Sequence, residues 1–319
     1  MNVYLTIDTE LTSGLYRAHG AGKIREIFDK SIWGKTAEGN VGIGYQMQVL
    51  DRHGLKAVFF VDPMPALLFG VQLIRDIVQP IIERGHDVQL HMHSEWLQYV
   101  QASPLNGRLG NHIKSFSLED QATLIRYARD VLMEAGAPAP IAFRAGNYGA
   151  NDDTLRALAL NQIQYDSSFC PGIAKSACDI GLSRSVDAPL EHCGTIEVPI
   201  GAINGPRGGK RHAQLTALST WEMLSAIDYS QKKRKTSFTL VSHSFELMSR
   251  DRARVNRIVQ YRFERLCASL AEMKNIKTST YRENPPSVTM GAPSTLLPHR
   301  YMRTFARVCE QAASNYLYR

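Results

Sequence analysis

The stretch "GHDVQLHMHSEW", residues 85–96, carries three histidines. Two of them, His91 and His93, stand two positions apart in an otherwise apolar run, with His86 before it and Glu95 after it. Such a run is typical of a β-strand, and side chains two positions apart on a strand share a face. His91 and His93 would therefore point to one side of the sheet and Met92 to the other. The pattern indicates a metal-binding strand end. The alternative is an ordinary buried strand, with His91 in the core and His93 at the surface.

Strand and helix patterns alternate on both sides of this stretch. Further strands are predicted at "VYLTID" (3–8), "KAVFFV" (56–61), "IAFRAG" (141–146), "IQYDSS" (163–168), "GTIEVPIG" (194–201) and "SFTLVSHSF" (237–245). Helices are predicted at residues 41–54, 71–85, 117–136, 151–161, 219–235 and 254–274. Repeated strand–helix units of this length indicate an α/β fold with a parallel sheet or a (β/α) barrel.

The chain divides, on these patterns, into a large domain and a C-terminal extension. Residues 1–280 hold the alternating strands and helices and are predicted to form one domain. Residues 281–319 are predicted to form a linker, rich in Pro and Ser from Asn284 to Pro298, followed by a helix at roughly 299–316. Because that last helix follows a linker, it is expected to pack on the outside of the domain or to hold a partner.

Composition limits the classes of function. With 44% hydrophobic and 21% charged residues the sequence is that of a globular protein, and no apolar run is long enough to span a membrane. The start "MNVYLTIDTE" lacks the pattern of a secretion signal, so a cytoplasmic location is expected. The net charge is +7, but no aromatic residues interleave with the basic ones, which argues against nucleic acid as a partner. The five cysteines are expected to be free thiols.

Polar side chains stand where several predicted strands end. In parallel α/β folds the carboxyl ends of the strands meet at one edge, which is where active sites form. Two imidazoles on one strand face, opposite a carboxylate from the first strand, suit Zn²⁺ or a similar divalent ion. The residues expected at this rim are Asp8, Glu10, His91, His93, Glu95, Arg144, Tyr148, Asp166 and His243.

These motifs, taken in order, resemble the polysaccharide deacetylase family (carbohydrate esterase family 4, the chitooligosaccharide deacetylase homology domain). The resemblance covers about residues 2–275 and rests on "LTIDTE", "HGLKAVFFVDP", "GHDVQLHMHSEW", "FRAGNYGAN", "YDSS" and "TLVSHSFEL". It implies a distorted (β/α) barrel of about seven parallel strands. It also implies one divalent metal ion, with Zn²⁺ preferred, and removal of an N-acetyl group from a sugar.

The resemblance also implies a role for each rim residue. Asp8 would be the catalytic base, paired with Arg144, and His243 would protonate the leaving amine while Asp166 holds its ring. Glu10, His91 and His93 would bind the metal. Two features depart from the usual family pattern: Thr9 separates the two acids, and the histidines lie two positions apart instead of four. Because Glu95 occupies the fourth position after His91, it remains a rival of His93 as the second ligand from this strand.

The substrate is expected to be an N-acetylated sugar of a glycan or of a carrier-linked precursor. Trp96, Tyr148 and Trp221 are candidate stacking platforms for a sugar ring, with core packing as the alternative. A backbone N–H near Tyr148 is a candidate oxyanion donor. The loop "NGPRGGKRHAQ" (204–214) is either a solvated loop or a contact for a phosphate of the carrier. Two other functions stay open: hydrolysis of another C–N bond, and sugar binding without catalysis. The sequence predicts no oligomeric state.

Overall fold

The computed structural model describes residues 1–288 and 295–318. Its strands are β1 Asn2–Thr9, β2 Lys35–Thr36, β3 Gly39–Asn40, β4 Val58–Val61, β5 Asp87–Met92, β6 Ala142–Ala145, β7 Tyr165–Asp166, β8 Leu190–His192, β9 Thr195–Glu197, β10 Ala202–Asn204, β11 Lys210–His212, β12 Ser237–His243 and β13 Lys277–Thr278. Its α-helices are α1 Ser13–His19, α2 Ile24–Ser31, α3 Ile43–Arg52, α4 Ala66–Phe69, α5 Val71–Glu83, α6 Leu118–Glu134, α7 Asp152–Leu160, α8 Thr220–Lys232, α9 Arg257–Glu272 and α10 Tyr301–Leu317.

A curled sheet forms the centre of the molecule, in the order β12-β1-β4-β5-β6-β7-β9-β8, and β13 also pairs with β1. The seven strands from β12 to β9 along this order run parallel, whereas β8 pairs antiparallel with β9 at the edge. The predicted distorted (β/α) barrel of about seven parallel strands is confirmed.

Strand β1 has a buried side chain at each position from Val3 to Thr9, as expected for a central parallel strand. Val3, Leu5 and Ile7 belong to the large apolar cluster shared with the helices. Tyr4, on the opposite face, packs in a second cluster with Phe60 and Tyr281 inside the curl of the sheet. Because side chains alternate along a strand, Asp8 and Glu10 lie on the same inner face as Tyr4.

Two register pairs position the candidate site. Asp8 of β1 lies beside His243 of β12, and His91 of β5 lies beside Arg144 of β6. These pairs stand at the carboxyl ends of their strands, where the backbone leaves the sheet. The parallel register therefore brings to one edge residues that are far apart in the sequence.

The helices follow the local signals of the sequence. Ser117 caps helix α6, because its side chain accepts a hydrogen bond from the backbone N–H of Asp120. A capping box between Ser219 and Glu222 does the same for α8. The segment 204–214 differs from the prediction of a loop, because β10 and β11 pair there as an antiparallel hairpin. Side chains within this segment find partners on the protein, as when Arg211 donates to the carbonyl of Ala217.

The C-terminal helix α10 packs against α8 and α9. The predicted boundary at residue 280 falls next to Tyr281, which is fully buried in the inner cluster. The division into a domain and an extension stays a prediction, and part of the Pro/Ser-rich stretch, residues 289–294, lies outside the described residues. Among the described helices, none has the length and apolar character needed to cross a bilayer.

Candidate active site

A cavity of about 390 Å³ opens at the carboxyl ends of the central strands. Its position is the one where α/β barrels place their active sites. Most of the predicted site residues line the cavity, and the segment after β7 forms one of its walls. Its lining residues are Asp8, Glu10, His91, His93, Ala145, Asn147, Tyr148, Ile173, Lys175, Ser176, Ala177, Gln214 and His243.

Glu10, His91 and His93 offer ligand atoms that lie within 4.8 Å of one another. His91 Nε2 is 3.0 Å from Glu10 Oε2, and His93 Nε2 contacts the same oxygen. Burial raises the pKa of the Glu10 carboxyl, but the adjacent His93 and His91 outweigh it and hold that pKa well below its usual range. Two imidazole nitrogens directed at one carboxylate oxygen form a suitable donor set for a divalent ion such as Zn²⁺.

The other ring nitrogen of each histidine has a partner that only accepts hydrogen bonds. His91 Nδ1 is 2.7 Å from the backbone carbonyl of Arg144, and His93 Nδ1 is 3.0 Å from Glu95 Oε2. Both Nδ1 atoms must therefore carry the proton in the neutral rings, which leaves each Nε2 lone pair free for a metal. Glu95 thus lies behind His93 and orients it, and this arrangement favours His93 over Glu95 as the ligand.

Arg144 is fully buried below the cavity and donates to Asp8 Oδ1 at 2.5 Å. The same guanidinium donates to the hydroxyl of Thr6 and to the backbone carbonyl of Ser167. Burial lowers the pKa of Arg144, but the neighbouring Asp8 charge outweighs it and raises that pKa above its usual value. The arginine therefore stays charged and fixes the carboxylate of Asp8 at the cavity floor.

His243 stands across from Asp8, with its Nε2 3.9 Å from Asp8 Oδ2. Its Nδ1 lies 3.4 Å from Glu246 Oε2, and Glu246 is held in turn by Gln214 and Thr216. Burial lowers the pKa of His243, but the acidic groups around it, Glu246 first, raise it to about 9. Burial likewise raises the pKa of Glu246, and His243 lowers it to about 2. The pair is therefore ionised at neutral pH.

Asp166 does not contact the ring of His243, which corrects the role that the family resemblance implied for it. Its carboxylate accepts hydrogen bonds from the backbone N–H and the hydroxyl of Ser168, at 3.0 and 2.7 Å. Asp166 also neighbours Glu197 in the β7–β9 pair. Burial raises the pKa of Asp166, and burial together with the Asp166 charge raises that of Glu197 well above its usual range. Glu246 occupies the position expected for Asp166.

Solved structures are similar to this chain at low sequence identity. A protein from Mycobacterium smegmatis assigned as a polysaccharide deacetylase has a TM-score of 0.56 and 16% identity, covering 90% of this chain and 93% of that one. The 4-alpha-glucanotransferase from Thermococcus litoralis has a TM-score of 0.50 and 13% identity, covering 94% of this chain and 42% of the glucanotransferase. A family 4 carbohydrate esterase from Streptomyces lividans, solved with acetate, has a TM-score of 0.42 and 12% identity, covering 93% and 97%. No protein-family model and no curated protein matches.

This chain has the polysaccharide deacetylase fold. A fold hosts several reactions, as the glucanotransferase illustrates, so the reaction has to be argued from the residues of the site.

Two of the three aromatic residues expected to contact a sugar lie away from the cavity of this polysaccharide deacetylase fold. Trp96 does not reach the cavity, because the turn Ser94–Tyr99 directs its fully buried ring into a cluster with Tyr16 and Phe69. Trp221 lies half-exposed on α8 and is not among the cavity residues. Tyr148 does line the cavity. Of the three expected stacking platforms, Tyr148 is the one that the structure places at the site.

Tyr148 and its neighbour Asn147 both adopt the left-handed backbone conformation, with φ of 58° and 53°. Two consecutive non-glycine residues in this region cost free energy, and such strain is concentrated at functional sites. This backbone conformation directs Tyr148 into the cavity, and the Asn147 side-chain amide donates a hydrogen bond to Glu95 Oε1 at 2.9 Å. The strained turn therefore connects the cavity wall to the residue that orients His93.

Sequence reasoning missed two acidic residues beside the site. Asp62 follows β4, is fully buried, and accepts hydrogen bonds from the backbone N–H groups of Met64 and, at 3.4 Å, His93. Burial raises its pKa to about 6 against the opposing effect of the histidines. Asp62 could have been predicted from the sequence, because it follows a strand in the same way as the residues that were predicted at the rim. Glu246 follows β12 by three positions, and no feature of the sequence distinguishes it from other acidic residues.

The Glu246–His243 pair yields a test by pH. Replacing Glu246 with Gln should lower the pKa of His243 from about 9 towards about 6.5, its ordinary value, because the largest stabiliser of the imidazolium is removed. NMR titration of the ring protons would measure this shift. Replacing Asp228, which pairs with Lys232 on the surface, with Asn is the matched control and should leave the titration unchanged.

Replacing Glu246 with Gln should also alter the way in which the free energy of unfolding depends on pH. The folded-state pKa of His243 is raised, so its contribution is fully present below about pH 6.5 and is lost as the pH rises through about 9. The folded-state pKa of Glu246 is lowered, so its contribution is present above about pH 4.3 and is lost as the pH falls towards about 2. The difference in unfolding free energy between wild type and variant should be largest between these limits. A difference independent of pH would contradict the ion pair.

Proposed function

We propose that this protein is a metal-dependent hydrolase that removes an N-acetyl group from an amino sugar of a glycan or of its carrier-linked precursor. One observation carries the proposal: Asp8 and His243 face each other across a cavity whose floor also holds the Glu10, His91 and His93 ligand set. A base, an acid and a metal-binding group around one space are the parts that amide hydrolysis needs.

Glu10, His91 and His93 would hold the metal through one carboxylate oxygen and two Nε2 atoms. A divalent ion bound there supplies a Lewis acid that polarises the amide carbonyl and makes water easier to deprotonate. Glu95 and the carbonyl of Arg144 keep both histidine rings oriented through Nδ1. The protein thus contributes a preformed ligand set whose ring orientations are fixed by its own hydrogen bonds.

Asp8 is suited to be the general base. It has a carboxylate oxygen beside His243, while its other oxygen receives the hydrogen bond of Arg144. Arg144 therefore leaves one oxygen of Asp8 available to accept the proton of the attacking water. The oxygen of that water forms the new bond to the acetyl carbon.

His243 is suited to be the general acid. With a pKa of about 9 it is protonated at neutral pH, and Glu246 holds its Nδ1 side so that Nε2 points towards Asp8. When the C–N bond breaks, Nε2–H would give its proton to the leaving amine, and acetate and the free amino sugar would result. Tyr148, in the cavity wall, is the residue we assign to contact the sugar.

Chelation tests the proposal directly. Acetate release from N-acetylated amino sugars should fall to background when the metal is removed and should return when Zn²⁺ is added back, with one ion bound per chain. Elemental analysis and an acetate assay on the same samples measure both quantities. Bound metal without acetate release would favour another C–N bond as the substrate. A protein that binds no metal even after Zn²⁺ is supplied would favour a sugar-binding protein without catalysis.

A further inference from the structure

The helix α10 has its apolar and polar sides reversed relative to an ordinary surface helix. The side chains of Tyr301, Met302, Phe305, Val308, Tyr316 and Leu317 are between 49% and 85% exposed. Between them lie Ala306, Cys309, Ala312 and Ala313, which are also exposed. At 3.6 residues per turn these residues fall on one side of the helix, which we call the outer face of α10.

The polar residues of α10 lie on the opposite side and attach the helix to the protein. Glu310 receives the guanidinium of Arg262 on α9 at 2.7 Å, and Arg307 contacts Glu222 on α8 at 3.2 Å. Gln311 donates to the backbone carbonyl of Thr216. These contacts fix which side of the helix faces outwards, so the exposure of the outer face is a property of the folded chain.

The outer face is larger than the apolar patches of ordinary monomers. Tyr301, Phe305 and Tyr316 alone expose on the order of 450 Å², at about 200 Å² for each aromatic side chain. With the other apolar residues the face reaches on the order of 800 Å², which is what each partner contributes to a standard interface. Patches of this size on soluble proteins mark interaction sites.

We propose that the outer face of α10 binds the same face of a second copy of this chain, with the two helices antiparallel and Cys309 at the twofold axis. Cys309 is the midpoint of Tyr301–Leu317. In an antiparallel pair centred there, Phe305 of each chain opposes Ala313 of the other, and Ala306 opposes Ala312. Phe305 then meets a small residue, whereas a parallel pair in register would place Phe305 against Phe305. At the two ends of the antiparallel pair Met302 opposes Tyr316 and Tyr301 opposes Leu317.

The sequence spacing on the outer face is typical of a helix that pairs with another helix. Met302, Cys309 and Tyr316 recur every seven residues, and Phe305 and Ala312 do the same. This is the repeat by which two helices keep one seam in contact. The small residues around Cys309 would allow the two backbones to approach closely at the crossing point.

A membrane surface fits this face less well than a second copy. Helices that lie on membranes carry Lys or Arg on a polar side that reaches the lipid head groups. Here Arg303 and Arg307 are 7% and 4% exposed and bond to the protein. The outer face itself holds no charged residue, and Asn315 at its border is neutral.

The mass of the full chain in solution tests the proposal. Twice the 35.7 kDa chain is 71.4 kDa, which light scattering should find for the wild type. Phe305→Asp should shift the mass to 35.7 kDa without loss of circular dichroism, because Phe305 is 66% exposed in the single chain. Leu160→Asp, on α7 at 68% exposure, is the matched control and should stay at 71.4 kDa.

Oxidation with copper phenanthroline tests whether Cys309 lies at the twofold axis. Two Cys309 thiols should form one disulfide, losing two protons and giving two electrons to Cu(II), so that a covalent dimer appears. Cys309→Ser should abolish that dimer, and Cys193→Ser should keep it.

A second variant tests the direction of the helices: Ala313→Cys in a Cys309→Ser background should give no covalent dimer if they are antiparallel, whereas a parallel pair in register would cross-link it and overturn that geometry. A 35.7 kDa mass at every concentration, or a dimer that survives Phe305→Asp, would overturn the proposal. A monomer that binds phosphatidylserine vesicles and loses this with Phe305→Asp would assign the face to membranes instead.

Discussion

Replacing Asp8 with Asn should lower the rate of acetate release by about 10²–10⁴-fold, the usual contribution of a general base, and should leave the metal bound. The amide of Asn fills the same space but cannot accept the proton of the attacking water. The metal should stay because Asp8 is not part of the Glu10, His91 and His93 group. Acetate release and metal content, measured on one preparation, separate the two effects.

The Asp8 variant will also be less stable than the wild type. Arg144 is fully buried, and removing the partner of a buried charge costs about 3–5 kcal/mol. Thermal unfolding has to be recorded so that activity is compared well below the transition. Asp153→Asn, on the surface of α7 where Asp153 pairs with Arg156, is the matched control and should keep both activity and stability. If the Asp8 variant kept near-normal activity, Asp8 would not be the general base.

His93→Ala and Glu95→Gln should have different effects on metal binding. Without His93 one of the three ligands is lost, and we expect the purified protein to contain little Zn²⁺. In the Glu95 variant the charged acceptor of the His93 Nδ1–H is replaced by a neutral amide oxygen, and such outer partners contribute about 10–100-fold to metal affinity. Calorimetric titration with Zn²⁺ measures both variants.

The exposed His19 on α1 provides the control for this comparison. His19→Ala removes an imidazole that is not among the cavity residues and should bind Zn²⁺ as the wild type does. The reverse order of effects, in which the Glu95 variant loses the metal and the His93 variant retains it, would make Glu95 the ligand. The spacing of four residues from His91 would then hold in this chain as well.

The parts of the fold with strong local patterns were predictable from the sequence. The strands around Asp8, His91 and His243 are apolar runs that end in polar residues, and parallel pairing brings such ends together. Short elements were not predictable in this way. Strands β8 and β13, of three and two residues, exist because neighbouring strands pair with them, and no pattern of that length identifies a strand.

The predicted roles of individual residues were wrong where they depend on the distance between segments that are far apart in the sequence. Asp166 and Glu246 both follow strands and both carry carboxylates, and the sequence alone cannot tell which one reaches His243. Trp96 follows the histidine strand directly, but the turn after β5 directs its ring inwards. Helix α10 reverses the usual rule that apolar side chains face the protein, so its orientation follows from its ion pairs to α8 and α9.

Strand β1 carries Asp8 and supplies Glu10 two residues later, and it is hydrogen-bonded to β12 on one side and β4 on the other. Side chains two apart on such a strand keep a spacing set by the backbone. An inserted or deleted residue at position 9 would turn one of the two carboxylates to the opposite face of the sheet. Substitutions can therefore change the cavity walls while the fold stays the same, whereas the interval between these two acids cannot change in length.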